Sequence, residues 1–257
     1  MWLGPDPLGE RFERYVDSWR RHHPSWDVRL WRDETLPPLT LQDVLDELDD
    51  QRWQKGYPLS AGHRALITWR ARYDLIRLDI LRQFGGVIVD LDVEAIRPLD
   101  PLLNGVTAFA GRTSNRASLK IGNQVLGAVP GHPFLEYVAE QLHERVHTAL
   151  NANQLAGSAF LTKAVKARPE GVTIFPRENF HSLLTIEPPR RPDDFPEIYA
   201  VHHHLQSYLG RAAELARYER SLRKAQLELE RVYARHRRAK AEIARLKARV
   251  ARIERRL

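Results

Sequence analysis

The sequence predicts an α/β domain, a mixed sheet flanked by helices over residues 1–209, followed by a coiled-coil helix over residues 210–257. The short run Val87–Val89 is β-branched throughout, which is typical of a buried strand. The stretch before it, residues 71–84, repeats apolar side chains at helical spacing. The tail repeats apolar residues every seven positions without a break, which indicates a coiled coil rather than more of the domain.

The composition limits the classes of protein that the chain can belong to. It has 257 residues and no cysteine, so neither a disulfide framework nor a thiolate metal site is expected. It contains no run of about 18 apolar residues and no signal-peptide core, and we therefore expect a soluble protein. The net charge of +7 is uneven, because residues 210–257 hold 16 Lys and Arg against 6 Asp and Glu. The basic excess belongs to the tail, and no nucleic-acid partner is expected.

The first quarter of the chain alternates helical and extended patterns. One face of a first helix carries apolar side chains, and Pro24 should end that helix. These side chains are Phe12, Tyr15, Val16 and Trp19. Residues 26–31 alternate between apolar and polar and predict the second strand. Residues 40–53 are acidic and helical, with Thr40 as the expected N-cap.

The centre of the domain is a helix, a turn and a strand that ends in two acids. Gly85 and Gly86 interrupt the helical pattern and allow the chain to turn sharply into Val87–Val89. Asp90 and Asp92 follow, and residues two apart on an extended chain point to the same face. Ligands of open α/β sheets bind at this carboxyl end of the strands.

Two carboxylates on one face repel each other unless a cation joins them. Oxygen ligands suit Mg²⁺ or Mn²⁺, so Asp90 and Asp92 are candidate metal ligands. The alternative is a strand end with two solvated acids, and the spacing alone does not exclude it.

The helix before the strand carries two further polar candidates, Asp74 and Arg77, which are three apart and share a helix face. The whole unit resembles the DXD sugar-binding region of a glycosyltransferase family. That family includes bacterial capsular-polysaccharide sugar transferases and yeast initiating mannosyltransferases, with the clostridial glucosylating toxins as distant relatives. The matching residues are Asp74, Arg77, Gly85, Gly86, Asp90, Asp92, Pro98 and Leu99.

The resemblance extends, more thinly, over the rest of residues 1–209. It implies a GT-A-type, Rossmann-like nucleotide-binding fold with a divalent metal. It also implies that Asp74, Arg77, Gly85, Gly86 and Asn123 bind the donor, and that Asp90 and Asp92 act in catalysis together with Asp74 and Arg77.

A second constellation lies at residues 199–208. It resembles the family's closing segment, in which two histidines are followed by a serine and a tryptophan. His202, His203 and Ser207 match, whereas Tyr208 replaces the tryptophan. The resemblance implies that His202 and His203 complete the metal sphere and that Ser207 and Tyr208 contact the diphosphate. Three adjacent histidines also suggest zinc, but adjacent residues on one element do not all face one point.

Further elements are expected between these two constellations. Residues 106–110, 121–130 and 172–176 have the composition of strands, and a helix should begin at Phe134.

The tail carries thirteen seam positions at unbroken heptad spacing, and neither Pro nor Gly follows Gly210. The seam is Leu215, Tyr218, Leu222, Ala225, Leu229, Val232, His236, Ala239, Ile243, Leu246, Val250, Ile253 and Leu257. This pattern favours self-association as a parallel dimer, or pairing with another heptad partner. The alternative is a basic amphipathic helix that lies on an anionic membrane.

The resemblance implies a metal-dependent, retaining glycosyltransferase that moves a sugar from a UDP- or GDP-linked donor to a hydroxyl of a carbohydrate or glycolipid. No residue suggests itself as a nucleophile. The alternatives are a degenerate transferase domain that acts as a coiled-coil scaffold, and a metal-dependent phosphoesterase, which would need more metal ligands. The expected location is the cytoplasm, with a peripheral position at the inner face of the membrane as a further option.

Overall fold

The computed structural model describes residues 1, 7–49, 61–114, 117–149, 151–180, 195–205 and 240, and of residues 49 and 61–68 only the backbone. The chain divides into two units, Met1–Tyr208 and Leu209–Leu257. Apart from Lys240, the second unit lies outside the described residues. The coiled coil and the domain boundary near residue 209 therefore stay predictions.

The described part of the first unit alternates helices and strands. The helices are α1 (Glu10–His22), α2 (Gln42–Asp49), α3 (Ala61–Phe84), α4 (Asp100–Leu103), α5 (Pro133–Arg145), α6 (Ala152–Leu155), α7 (Ser158–Ala167) and α8 (Arg177–Phe180). A 3₁₀ turn spans Asp33–Thr35. The strands are β1 (Gly86–Val89), β2 (Val93–Ala95), β3 (Ala108–Arg112), β4 (Ile121–Ala128), β5 (Val172–Phe175) and β6 (Ala200–His202).

The main sheet is mixed, in the order β1-β4-β3-β5. Strand β4 runs antiparallel to both β1 and β3, and Leu126 lies opposite Ile88 on one side and Ala110 on the other. Strand β5 is parallel to β3. The predicted α/β class with a mixed sheet flanked by helices is confirmed.

The two faces of the sheet are covered by separate apolar clusters. Ala108, Ala110 and Leu126 belong to the larger cluster, together with α3, α5 and α7. Phe109 belongs to the second cluster, with Trp19 and Phe180. Consecutive residues of β3 thus face opposite sides, as expected for a strand buried on both faces.

A second, two-stranded sheet holds the segment after the acidic pair. Strand β2 runs antiparallel to β6, with Val93 opposite His202. Helix α1 is fastened to β2 by two hydrogen bonds. Trp19 Nε1 donates to the carbonyl of Val93 at 2.9 Å, and the backbone N–H of Ala95 donates to Ser18 Oγ at 2.9 Å. This small sheet is not recognisable from sequence periodicity, because its strands are only three residues long.

The expected helix at residues 71–84 and the strand at 87–89 are both present, and the helix begins ten residues earlier. The apolar side chains that recur at helical spacing in residues 71–84 are buried except for Phe84, which is 48% exposed at the end of the helix. The buried ones are Tyr73, Leu75, Ile76, Leu78, Ile80 and Leu81. The strand predicted for residues 26–31 is wrong, because this segment joins no ladder among the described residues. Apolar and polar residues do alternate in this segment, but no described strand is hydrogen-bonded to it. None of the described helices combines the length and apolarity needed to cross a bilayer.

Candidate active site

The acidic pair lies where the main sheet meets the small one. Asp90 directly follows β1, and its backbone N–H donates to the carbonyl of Gln124 at 2.9 Å. The N–H of Val93 then donates to the carbonyl of Asp90 at 3.0 Å, which closes a tight turn between β1 and β2. Asp92 sits in that turn, 3% exposed. The turn therefore presents both carboxylates at the carboxyl end of β1.

Helix α3 delivers a buried polar pair to the same place. The guanidinium of Arg77 bonds to Asp90 Oδ1, and its second nitrogen donates to the carbonyl of Asn123 at 2.8 Å. The side-chain amide of Asn123 donates to Asp74 Oδ1 at 2.9 Å. Asp74 Oδ1 also lies 4.0 Å from Arg77. The residues that the resemblance assigned to donor binding and catalysis, Asp74, Arg77, Asn123 and Asp90, thus form one connected cluster.

Two buried atoms of this cluster, Asp74 Oδ2 and Arg77 Nε, have no hydrogen-bond partner, and Asp74 Oδ2 is the one that can accept. Asp74 is 5% exposed, and its Oδ2 is buried without a hydrogen bond. A buried carboxylate oxygen without a donor is costly, since it has lost its water without a replacement. Burial accordingly raises the pKa of Asp74 to about 7, even though Arg77 opposes the shift. The free oxygen is a natural acceptor for a hydroxyl group of a ligand.

A candidate metal centre lies beside this cluster. One ligand atom each from Asp90, Asp92 and His202 lies within 4.8 Å of the others. His202 Nε2 is 3.4 Å from Asp92 Oδ1, and the backbone N–H of Leu205 donates to Asp92 Oδ2 at 2.6 Å. Two carboxylates and one imidazole form a donor set that suits Mn²⁺, and Mg²⁺ less well.

The two acids differ in their electrostatics. Burial raises the pKa of Asp90 above its ordinary value, although Arg77 opposes the shift. Burial would also raise the pKa of Asp92, but the hydrogen bond and charge of His202 and the N–H of Leu205 outweigh it, so this pKa lies below its ordinary value. Asp92 is therefore the acid that stays ionised most readily, and a cation would favour ionisation of both.

His203, the other histidine proposed as a ligand, is directed elsewhere. Its Nε2 lies 2.9 Å from Glu94 Oε2, and its ring stacks on Tyr15 of α1 with centroids 4.5 Å apart. Only its backbone N–H reaches the acids, at 2.8 Å from the carbonyl of Asp92. Because β6 ends at His202, the direction of the next side chain is set by local contacts rather than by strand alternation.

Two other predicted positions lie away from the acids. Gly85 and Gly86 stand at the opposite end of β1 from Asp90, with φ of +67° and +88°. Their position indicates a turn, and the structure does not bring them to the cluster formed by Asp74, Arg77, Asn123 and Asp90.

Ser207 and Tyr208 lie outside the described residues, so their contact with a diphosphate stays a prediction.

Sequence reasoning missed three contributors to the site. Glu94 and Tyr15 fix His203, and the N–H of Leu205 fixes Asp92. The spacing of Asp90, Asp92 and Glu94, each two apart, was a usable signal for Glu94. No local signal marks Leu205, since its partner is 113 positions earlier.

Comparison with known proteins bears on this cluster directly. Residues 9–108 match the family model of the glycosyltransferase sugar-binding region containing the DXD motif. Inositol phosphoceramide mannosyltransferase 3 of Schizosaccharomyces pombe is 35% identical over 123 residues, which are 47% of this chain and 29% of the relative. Human alpha-1,4-N-acetylglucosaminyltransferase is 30% identical over 173 residues, which are 59% of this chain and 48% of the relative.

The chain thus matches less than half the length of either of these curated relatives. Among solved structures, the PaToxG glycosyltransferase superimposes with a TM-score of 0.46 and 14% identity, over 65% of this chain and 68% of the other. The matched segment includes Asp74, Arg77, Asp90 and Asp92. Over residues 9–108, the chain is therefore similar to the sugar-binding region, containing the DXD motif, of a glycosyltransferase family.

Proposed function

We infer that the first unit is a metal-dependent glycosyltransferase, which moves a sugar from a UDP- or GDP-linked donor to a hydroxyl of an acceptor. The inference rests on one observation: a set of candidate metal ligands lies close to a carboxylate that has a free oxygen. The candidate cation ligands Asp90, Asp92 and His202 lie next to Asp74, whose Oδ2 is buried and without a partner. A nucleotide sugar has a diphosphate, which a bound cation would contact, and sugar hydroxyl groups, which can donate to a free carboxylate oxygen.

The donor set fits a divalent metal. Asp90, Asp92 and His202 would hold it, and when bound it would neutralise charge on the leaving diphosphate. Their oxygen and nitrogen atoms favour Mn²⁺, with Mg²⁺ as the alternative.

The chain's own residues prepare this group. Arg77 is buried and joined to Asp90 and to the carbonyl of Asn123, so it holds the Asp90 carboxylate in place. The N–H of Leu205 holds Asp92 in the same way. Asp74 would accept hydroxyl protons of the donor's sugar or ribose through Oδ2, while Asn123 keeps its other oxygen oriented. Such preorganised contacts cost nothing at the moment of reaction.

The relatives' names bear on the acceptor. One relative is named for a phosphoceramide and another for transfer of N-acetylglucosamine. We therefore propose a glycolipid or carbohydrate acceptor and a place in glycoconjugate synthesis. Retention of the anomeric configuration and a cytoplasmic location, free or at the inner face of a membrane, belong to the same proposal.

A donor screen tests the function. Purified full-length protein is incubated with UDP- and GDP-sugars, with and without Mn²⁺, and release of nucleoside diphosphate is measured. We expect metal-dependent release with one donor and its loss in Asp92→Asn. The matched control is Asp17→Asn, which changes an exposed carboxylate on α1 that pairs with Arg20. No release with any donor, together with no binding of nucleotide, would favour the degenerate scaffold instead.

A further inference from the structure

Two helices of the first unit face each other with complementary polar side chains, away from the site described above. Helix α2 presents Asp43 and Glu47, and the end of α5 with the turn after it presents His143 and His147. His143 Nε2 lies 3.0 Å from Asp43 Oδ2, and His147 Nδ1 lies 3.0 Å from Glu47 Oε2. The four side chains thus form two imidazole–carboxylate pairs between the same two elements.

The spacing along each element places the two pairs on neighbouring turns. His143 and His147 are four apart, and so are the two acids that face them. The chain stays helical past the end of α5, because the N–H of Ala149 donates to the carbonyl of Arg145 at 2.8 Å. Side chains four apart on a helix are neighbours on one face. Two histidines at this spacing on one face are an arrangement that binds zinc.

The ring of His143 has the orientation of a metal ligand. Its Nδ1 lies 3.0 Å from the carbonyl oxygen of Ala139, which can only accept, so Nδ1 carries a proton. In the neutral ring, Nε2 then has a free lone pair, and this is the atom that faces Asp43. A nitrogen lone pair and a carboxylate oxygen repel each other unless a proton or a metal cation lies between them. Histidines that ligate metals almost always donate their other N–H to a carbonyl or carboxylate in this way.

The backbone beneath the pairs is held by burial, whereas the pairs themselves are accessible. Val44 and Leu48 of α2 belong to the same apolar cluster as Leu142 and Val146, and all four are at most 3% exposed. The side chains of the two pairs are between 48% and 65% exposed. An ion from solvent can therefore reach them, and binding would require side-chain rotation without movement of the helices.

The geometry within each pair is close to that of a zinc site. Tetrahedral bonds of about 2.0–2.1 Å place the ligand atoms of zinc about 3.3 Å apart, against 3.0 Å within each pair. The four residues stand as two pairs; among the described residues, the ligand atoms that already converge are those of Asp90, Asp92 and His202. Rotation of the exposed side chains has to bring the second pair to the ion held by the first.

We propose that one Zn²⁺ ion binds between α2 and the end of α5, on the ligands Asp43, Glu47, His143 and His147. Two imidazoles and two carboxylates supply four ligands, the number that closed zinc sites use. The carboxylates balance the charge of the ion, and the imidazoles select zinc over Mg²⁺. The inference does not depend on the proposed transferase activity.

Zinc titration followed by NMR gives the sharpest test. Zn²⁺ alone is added to full-length Asp92→Asn protein, in which the other candidate metal centre has lost a ligand. Long-range proton–nitrogen spectra of the imidazole rings should shift at Nε2 of His143 and Nδ1 of His147, the atoms that face the carboxylates. Thermal unfolding should shift upward with Zn²⁺, because the ion binds the folded state. Mg²⁺ at the same concentration should cause neither change.

Two substitutions in the same background separate a metal site from two ordinary ion pairs. His143→Gln keeps an amide that can donate to Asp43 but removes the imidazole nitrogen, so the affinity for Zn²⁺ should fall at least about tenfold. The matched control is His22→Gln, at a partly exposed histidine of α1, which should leave the affinity unchanged. The proposal is overturned if His143→Gln binds Zn²⁺ as tightly as its parent, or if the ring signals of either His143 or His147 stay unmoved by Zn²⁺.

Discussion

At the scale of single residues, the site depends on which oxygen of each carboxylate already has a hydrogen-bond or ion-pair partner. Both oxygens of Asp92 have partners, His202 and the N–H of Leu205, whereas Asp74 keeps one oxygen free. The family resemblance assigned Asp74, Arg77, Asp90, Asp92 and Asn123 to one site. The structure joins four of them, Asp74, Arg77, Asp90 and Asn123, by hydrogen bonds, and brings a carboxylate oxygen of Asp92 within 4.8 Å of one of Asp90. Nothing in the sequence indicates that the His203 side chain contacts Glu94, because His203 lies beyond the end of β6.

We expect Asp92→Asn to weaken Mn²⁺-dependent binding of UDP or GDP by more than about tenfold. Changes in groups that only support a metal ligand already cost about 10- to 100-fold in affinity, and Asp92 is itself a candidate ligand. Titration calorimetry with and without Mn²⁺ measures the effect, and circular dichroism checks the fold. Unchanged affinity in the variant would argue against a metal bridge at this pair.

The pKa of Asp74 makes a separate prediction about pH. With a folded-state pKa of about 7 and an ordinary value of 3.8, the folded protein holds the proton between these limits while the unfolded chain releases it. Stability should therefore fall as pH rises through about 4 to 7, and the loss should persist above 7. Between pH 5 and pH 8 we expect roughly 2 kcal/mol of decline in the wild type that Asp74→Asn lacks.

Urea unfolding in the presence of EDTA at these two pH values measures the difference between the two proteins. Parallel pH profiles of the wild type and Asp74→Asn would contradict the raised pKa.

At the scale of elements, the junction between α3 and β1 positions the side chains of the site. Helix α3 carries Asp74 and Arg77, and β1 carries the chain to Asp90. Gly85 closes the helix with its N–H on the carbonyl of Leu81 at 2.9 Å and a φ of +67°. The dipeptide was recognisable as a turn from sequence, but the closeness of Pro130, 45 residues later, was not.

We expect Gly85→Ala to destabilise the protein more than Gly105→Ala. A Cβ at Gly85 would stand 2.5 Å from Pro130 Cδ and 2.9 Å from the carbonyl of Ala128, in a left-handed conformation. Gly105 has a similar φ of +73° and nothing within 4 Å of the added atom. The control should lose about 1–2 kcal/mol from backbone strain, and Gly85→Ala about 1–3 kcal/mol more from the clash.

Chemical denaturation of both variants measures this difference. Equal losses at Gly85 and Gly105 would show that Pro130 can move aside without cost.

At the scale of the whole molecule, the tail has a pattern of its own. Residues 210–257 lie outside the described part of the chain apart from Lys240, and their association is inferred from the heptad pattern alone. We predict that residues 211–257 form a helix that self-associates as a parallel dimer, since its seam is narrow and unbroken over thirteen positions.

Sedimentation of the full-length protein and of a form ending at Gly210 tests this, with the dimer expected only for the former. If both are monomers at micromolar concentration, self-association is wrong. The basic face of the helix should then be tested against vesicles that contain anionic lipid.

The sequence alone determined the class of the fold, the helix–turn–strand unit and the spacing of the two acids, because periodicity and neighbouring positions are local properties of a chain. Only the tertiary structure decided which partners those residues have. Asn123 meets Asp74 across 49 positions, and Leu205 meets Asp92 across 113. It also decided that residues 26–31 stay outside the sheet, because a strand requires a neighbour and no local pattern supplies one.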